Sequence, residues 1–145
     1  MKWRIVTVGR PALDYAKNGS AEYLKRLKRY TEVEVIIVKD GSAEAVSERL
    51  LKASEDCLRI ALDERGEIPD TAAFTKMVDQ WEMQGTHRAA LLIGGSDGHT
   101  QELRKRCDKI IALSKLTLQH ELALVVLLEQ IYRIYTIKRG EPYHR

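Results

Sequence analysis

The chain has 145 residues and a mass of 16.6 kDa, about one domain's worth, and its 44% hydrophobic and 31% charged content excludes a disordered or collagen-like polymer. The densest apolar run, Leu122 to Leu128, stops at Glu129, well short of the ~20 residues a membrane span needs, and the N-terminus carries no signal-peptide pattern. Charge is uneven: residues 1–30 carry +6, residues 31–99 carry −7 and residues 100–145 carry +4, a pattern that either steers an anionic partner onto basic ends or simply solvates helix faces.

Strands and helices alternate along the chain. Lys2–Val8 reads as a strand, and Pro11 sits well at the start of a helix. That helix places Ala16, Tyr23, Leu27 and Tyr30 at helical spacing, with Asn18-Gly19 weakening its middle. Glu32–Val38 is a β-branched strand, followed by an Asp40-Gly41-Ser42 turn with Ser42 as candidate N-cap. Ala43, Val46, Leu50 and Ala53 form the stripe of a second helix. Cys57–Leu62 is the third strand, and the polar segment Asp63–Pro69 reads as a loop. Asp70 or Thr71 opens a helix whose Phe74, Met77, Val78 and Trp81 follow the i, i+3, i+4, i+7 rule, and Gly85 ends it. Ala89–Ile93 is the fourth strand, with Gly94-Gly95-Ser96-Asp97-Gly98 directly after it. A short helix at Thr100–Arg106 and a fifth strand at Lys109–Leu113 precede the polar stretch Ser114–His120. The last helix runs to about Lys138, and the tail is Gly140-Glu141-Pro142-Tyr143-His144-Arg145.

Five strands separated by helices predict a single α/β domain, a parallel sheet with helices on both faces. Sites in such sheets lie at the carboxyl ends of strands, which directs attention to the loops opening at Asp63, Gly94 and Ser114. The first loop, Gly9-Arg10-Pro11, lacks the G-x-G-x-x-G of a dinucleotide site, and no Walker motif is present. Gly94, Gly95 and Gly98 let a ligand approach the backbone, or form an ordinary strand-to-helix turn. His87, His99, His120 and His144 are too widely spaced for a metal site, and His120-Glu121 does not continue as HExxH, so no metal is expected. Cys57 and Cys107 read as reduced thiols of a cytoplasmic protein. The last helix is apolar on nearly every face, the pattern of a helix shared with a partner subunit or of a central core helix.

Taken together, Val8-Gly9, LLIGGSDG at 91–98, LSKLTLQH at 113–120, LLEQIYRIY at 127–135 and GEPYHR at 140–145 resemble, in order and spacing, the ribosomal RNA large subunit methyltransferase H family of SPOUT-class knotted methyltransferases. The resemblance covers the whole chain. It implies a C-terminal deep trefoil knot, a homodimer, S-adenosylmethionine as methyl donor, and methylation at N3 of a pseudouridine in 23S rRNA within the assembled ribosome, with no accessory RNA-binding domain.

Carried over by position, the resemblance places cofactor contacts at Leu62, Gly94, Leu113, Ser114, Lys115, Leu116, Thr117 and Leu118. Leu62, Leu116 and Leu118 would wall the adenine, and Lys115 either approaches the methionine carboxylate or points to solvent. His144 and Arg145 are the catalytic candidates, as proton acceptor and anion stabiliser over the partner's cofactor, with Tyr143 against the base. His120, at a helix N-terminus that favours the neutral ring, is either a second base or the residue that orders its loop. Two positions depart from the family pattern: Gln119 stands where a proline is usual, and Leu124 where many members carry arginine. Arg4, Arg10, Lys25, Arg26, Lys28, Arg29, Arg104, Lys105 and Arg106 are candidates for RNA phosphates. Alternatives from other classes are a ribosome-binding SPOUT-fold protein with weak or no turnover, a SPOUT methyltransferase for another RNA, and a monomeric nucleotide-binding module.

Overall fold

The structure is a computed structural model that describes residues 1–144; the side chain of His144 and all of Arg145 lie outside the described residues. Five parallel strands form one sheet in the order β2-β1-β4-β3-β5. They are β1 (Lys2–Val8), β2 (Val33–Val38), β3 (Leu58–Glu67), β4 (Arg88–Ile93) and β5 (Lys109–Ile111). The helices are α1 (Asp14–Leu27), α2 (Ala43–Ala53), α3 (Thr71–Met83), α4 (Gln101–Lys105) and α5 (His120–Lys138), with a 3-10 turn at Pro142–His144.

Strand alternation divides the core in two. Trp3 and Ile5 of β1 and Ala89, Leu91 and Ile93 of β4 face one side, where α1, α3 and α5 pack on them through Leu27, Phe74, Val78, Leu127, Leu128 and Ile131. Val6, Val8, Ala90 and Leu92 face the other side and meet Val46 and Leu50 of α2 and Leu103 of α4. Ile5, Leu91, Leu92, Leu127 and Leu128 are all 0% exposed, each worth about 1.5–3 kcal/mol of apolar burial. The indole buried at the sheet centre is satisfied: Trp3 Nε1 donates to the Tyr135 hydroxyl at 2.9 Å.

The helix starts at Ser42 and Asp70 follow the sequence signals. Ser42 accepts from Ala45 N–H and Asp70 from Ala73 N–H, each satisfying a donor the helix itself leaves free. The first helix begins later than Pro11 suggests. Its N-cap is Leu13, which has no capping side chain; the free N–H groups of Ala12 and Leu13 are taken instead by Glu121 Oε1, at 2.7 and 3.2 Å. Gly19, which reads as a weak point, is a close-packing point: a Cβ there would lie 3.1 Å from Val125 of α5.

The third strand corrects the expected loop at 63–69. β3 continues to Glu67, and Ile111 of β5 pairs first with Leu62 and then, after a register shift, with Glu67. Ala112 N–H donates to the Glu67 carbonyl at 2.8 Å. Gly66 permits this, because a Cβ there would lie 2.5 Å from the backbone of Ile110. Backbone pairing with β5 overrides a segment whose charge and glycine read as a loop. β5 itself ends at Ile111 rather than Leu113.

Candidate cofactor and active site

The outer half of β3 and the loops after β4 and β5 meet at one end of the sheet and enclose a cleft of about 510 Å³, within the range of small-molecule sites. Leu62, Gly94, Leu113, Ser114, Leu116, Thr117 and Leu118 all line it, as do His120 and Ala123 from the first turn of α5. Lys115, placed among the cofactor contacts on resemblance, does not line the cleft and is exposed. Leu116 is 75% exposed, a large apolar side chain held at the cleft edge.

The glycine loop fits tightly against the cleft floor. A Cβ on Gly94 would meet the His99 ring at 3.3 Å and the Gly98 backbone at 3.2 Å. Gly98 has φ +71°, a left-handed conformation that suits glycine. Below it His99 is 7% exposed, and its Nε2 lies 2.9 Å from the Leu92 carbonyl. A carbonyl only accepts, so Nε2 carries the proton and Nδ1 is the acceptor. Nδ1 is buried with no hydrogen-bond partner among the described residues. Burial holds the His99 pKa below the ordinary value, outweighing its Leu92 hydrogen bond. The Arg104 guanidinium ties this loop to the end of β3: it donates to the His99 carbonyl at 2.6 Å and lies 3.5 Å from Asp63, whose side chain is 3% exposed. His99 and Asp63 line the cleft, and Arg104, which the sequence analysis offered to RNA phosphates, braces them; none of the three was named among the site residues. The glycine run just before His99 was the available signal, but its contact with the ring exists only in three dimensions.

The segment from Ser114 to His120 forms the opposite wall. Ser114 Oγ accepts from Leu116 N–H at 3.0 Å, and Thr117 Oγ1 approaches Glu64 at 3.4 Å. Gln119, the departure from proline, is the N-cap of α5, its side chain accepting from Glu121 and Leu122 N–H at 2.9 and 3.0 Å. His120 Nδ1 lies 3.3 Å from the Gln119 amide. Leu124, the second departure, turns away from the cleft into the core and is 9% exposed.

Tyr143 does not line the cleft of its own chain. Tyr143 packs edge-on to Tyr132 with ring centroids 4.7 Å apart, and its hydroxyl lies 3.3 Å from Glu129 and 3.4 Å from Tyr23. Glu129 is nine residues beyond His120 on α5, about 13 Å along the axis. Burial, with the Tyr23 hydroxyl and the Glu129 carboxylate, pushes the Tyr143 phenol well above its ordinary pKa, so it stays protonated. The placements of the His144 side chain and of Arg145 lie outside the described residues.

Of the basic candidates, Arg26 is paired with Glu22 at 2.7 Å, and two more are committed internally. Arg4 pairs with Glu34 at 2.5 Å and donates to the Ala53 carbonyl, and Arg104 holds Asp63 and His99. Among the described residues no group of three or more His, Cys, Asp or Glu side chains is placed to hold a metal, and no helix is long and apolar enough to cross a membrane.

The chain matches the family described as "Predicted SPOUT methyltransferase" over residues 1–144, so the sheet and its strand-end cleft are those of a SPOUT methyltransferase. That fold implies the C-terminal trefoil knot, and the methyl donor of the class is S-adenosylmethionine. Curated relatives called "Ribosomal RNA large subunit methyltransferase H" are 43% identical in Thermus thermophilus and in Deinococcus radiodurans, each over 100% of this chain and 99% of the relative. One from Bacillus thuringiensis is 40% identical, with both chains fully covered. The chain belongs to the ribosomal RNA large subunit methyltransferase H family. Solved structures agree on the fold: a probable methylase family protein from Haemophilus influenzae superposes with TM-score 0.64 at 15% identity, covering 99% of this chain and 70% of that one. A tRNA (m1G37) methyltransferase from Aquifex aeolicus does so with TM-score 0.57 at 15% identity, covering 99% and 74%.

Proposed function

We propose that this protein is a homodimeric 23S rRNA methyltransferase that modifies N3 of a pseudouridine on the assembled ribosome, in the cytoplasm and as a single domain. The observation that carries the reading is the cleft itself, built from the outer half of β3 and the loops after β4 and β5 in a chain 43% identical to relatives named for ribosomal RNA methylation.

The residues present fit S-adenosylmethionine. Gly94 and Gly95 offer bare backbone to an adenine edge, and Leu62, Leu113, Leu116 and Leu118 offer an apolar wall for its ring. Glu64 and Asp97 at the rim suit a ligand with positive charge. When bound, the cofactor supplies an already activated methyl group, so the chain's own work is alignment and the management of one proton. Dimerisation is supported by Leu122, Val125 and Val126, half-buried apolar side chains on α5, and by the distance of Tyr143 from the cleft of its own chain. In the dimer the tail of one protomer closes on the cleft of the other. There His144 accepts the proton leaving N3, Arg145 stabilises the anion, and the protonated Tyr143 donates to or stacks on the base.

The test uses labelled S-adenosylmethionine with ribosomes from a strain lacking this methylation, and naked 23S rRNA as control. Label at one pseudouridine of ribosomal RNA is the expected outcome, and it vanishes when residues 143–145 are deleted while the dimer persists. Unchanged turnover in that deletion moves the proton to His120. No label despite ribosome binding would make the protein a binding factor rather than an enzyme.

A further inference from the structure

Away from the cleft, aromatic rings and guanidinium groups interleave where the C-terminal ends of α1 and α5 meet. Tyr30, in the turn after α1, stacks on Tyr135 at 6.0 Å between centroids and meets Tyr132 edge-on at 5.9 Å. Its hydroxyl donates to Glu141 at 2.8 Å, so the ring is fixed on two sides. Over this ring lie two guanidinium groups, Arg139 at 4.6 Å and Arg29 at 5.6 Å.

These two arginines differ from their neighbours. Arg26 is spent on Glu22 at 2.7 Å and Arg133 on Glu129 at 2.7 Å. Arg29 and Arg139 are both exposed, and neither has a carboxylate partner among the described residues. A guanidinium resting on an aromatic face has lost part of its rotamer freedom already, yet keeps its N–H fork available. Exposed Lys25 and Lys28 on the same end of α1 add like charge.

We propose that the Arg29–Tyr30–Arg139 cluster is a docking surface for an RNA strand, with the two guanidinium groups taking backbone phosphates and offering flat faces to unpaired bases. This rests on the ribosomal RNA reading above and names the surface that holds that substrate. Unpaired RNA presents both chemistries the cluster matches, anionic phosphate and stacking bases. The exposed cations Lys25, Lys28, Arg29 and Arg139 outnumber the one carboxylate here, Glu141, and this excess of positive charge favours a polyanion over a second copy of the chain.

The test measures binding of the dimer to large ribosomal subunits lacking the modification, at several potassium chloride concentrations between 50 and 200 mM (about the range over which phosphate contacts are resolved). Arg29→Ala with Arg139→Ala is expected to weaken binding about tenfold and to flatten the plot of log K against log salt by about 1–2. Lys39→Ala with Lys52→Ala, on the β2 and α2 side, removes equal charge and is expected to change neither. Arg29→Lys with Arg139→Lys keeps charge without the planar fork, and is expected to keep the slope while losing part of the affinity. Unchanged affinity and slope in the double alanine variant overturn the proposal, as does a change in its sedimentation, which would make the surface a contact between copies. Methyl transfer by the unaltered protein is scored separately: its absence sinks the functional reading, while the binding comparison still judges this surface.

Discussion

Glu121 caps a helix it does not belong to. Its Oε1 accepts from Ala12 N–H at 2.7 Å, across 109 residues of sequence, and so binds the start of α1 to the first turn of α5 beside the cleft. Its half-buried position raises the carboxyl pKa, but the N–H groups of Leu13 and Ala12, with His120 nearby, lower it by more. A depressed carboxyl pKa stabilises the fold above the unfolded value of 4.5, and that contribution is lost as pH falls through the folded value. Glu121→Ala should therefore melt at lower temperature at pH 7 and show a shallower acid limb than the unaltered protein. Equal melting curves at pH 7 would show that the cap contributes nothing.

Gly94 is predicted to be the more sensitive of two adjacent glycines. Alanine at 94 meets the His99 ring and the Gly98 backbone at 3.2–3.3 Å, whereas alanine at 95 meets Val8 at an ordinary 3.5 Å. Gly94→Ala should weaken S-adenosylmethionine binding by about tenfold, about 1.4 kcal/mol, with Gly95→Ala affected less. Calorimetric titration of the two variants reads this directly, and equal losses would show that the loop shifts freely.

Gly66→Ala tests the β3–β5 crossing. A Cβ 2.5 Å from the Ile110 backbone has no flexible side chain to push aside. A loss of about 3 kcal/mol or a failure to fold is expected, at the upper end for overpacked sites. Denaturant unfolding measures it, and a loss below about 1 kcal/mol would mean that the strand pair separates easily.

His99 should make stability depend on pH in the weakly acidic range. The groups facing it are Asp63 from β3, which favours its charged form, and Arg104 from α4, which opposes it, but burial dominates and lowers the pKa. The unfolded chain binds the proton more readily, so the neutral ring's contribution is complete above about pH 6.5 and drains away as pH falls toward the folded value. The melting temperature should fall over that interval in the unaltered protein and fall less in His99→Gln. Parallel curves for the two proteins would assign the fall to other groups.

Local chemistry made most of the elements legible. Alternation and an apolar run marked β1, a β-branched run marked β2, the i, i+3, i+4, i+7 spacing of Phe74 to Trp81 marked α3, and Ser42 and Asp70 marked helix starts, because each signal acts within a few residues of itself. The glycine loop and the 113–118 segment could be named as candidates, since strand ends in a parallel sheet are where loops converge.

Local residue patterns specify the alternation of strands and helices and the set of loops at the strand ends. Tertiary structure decided the rest, because each remaining feature depends on partners far apart in the chain. Pairing with Ile111 turns a charged segment into the end of β3; Val125 gives Gly19 its purpose, and Glu121 supplies the cap that α1 lacks. The ring of His99 lies under Gly94, and Tyr143 settles against Glu129 instead of the cleft of its own chain. Local propensity carries no information about which distant backbone or side chain will arrive, and only closing those long loops brings the pairs together.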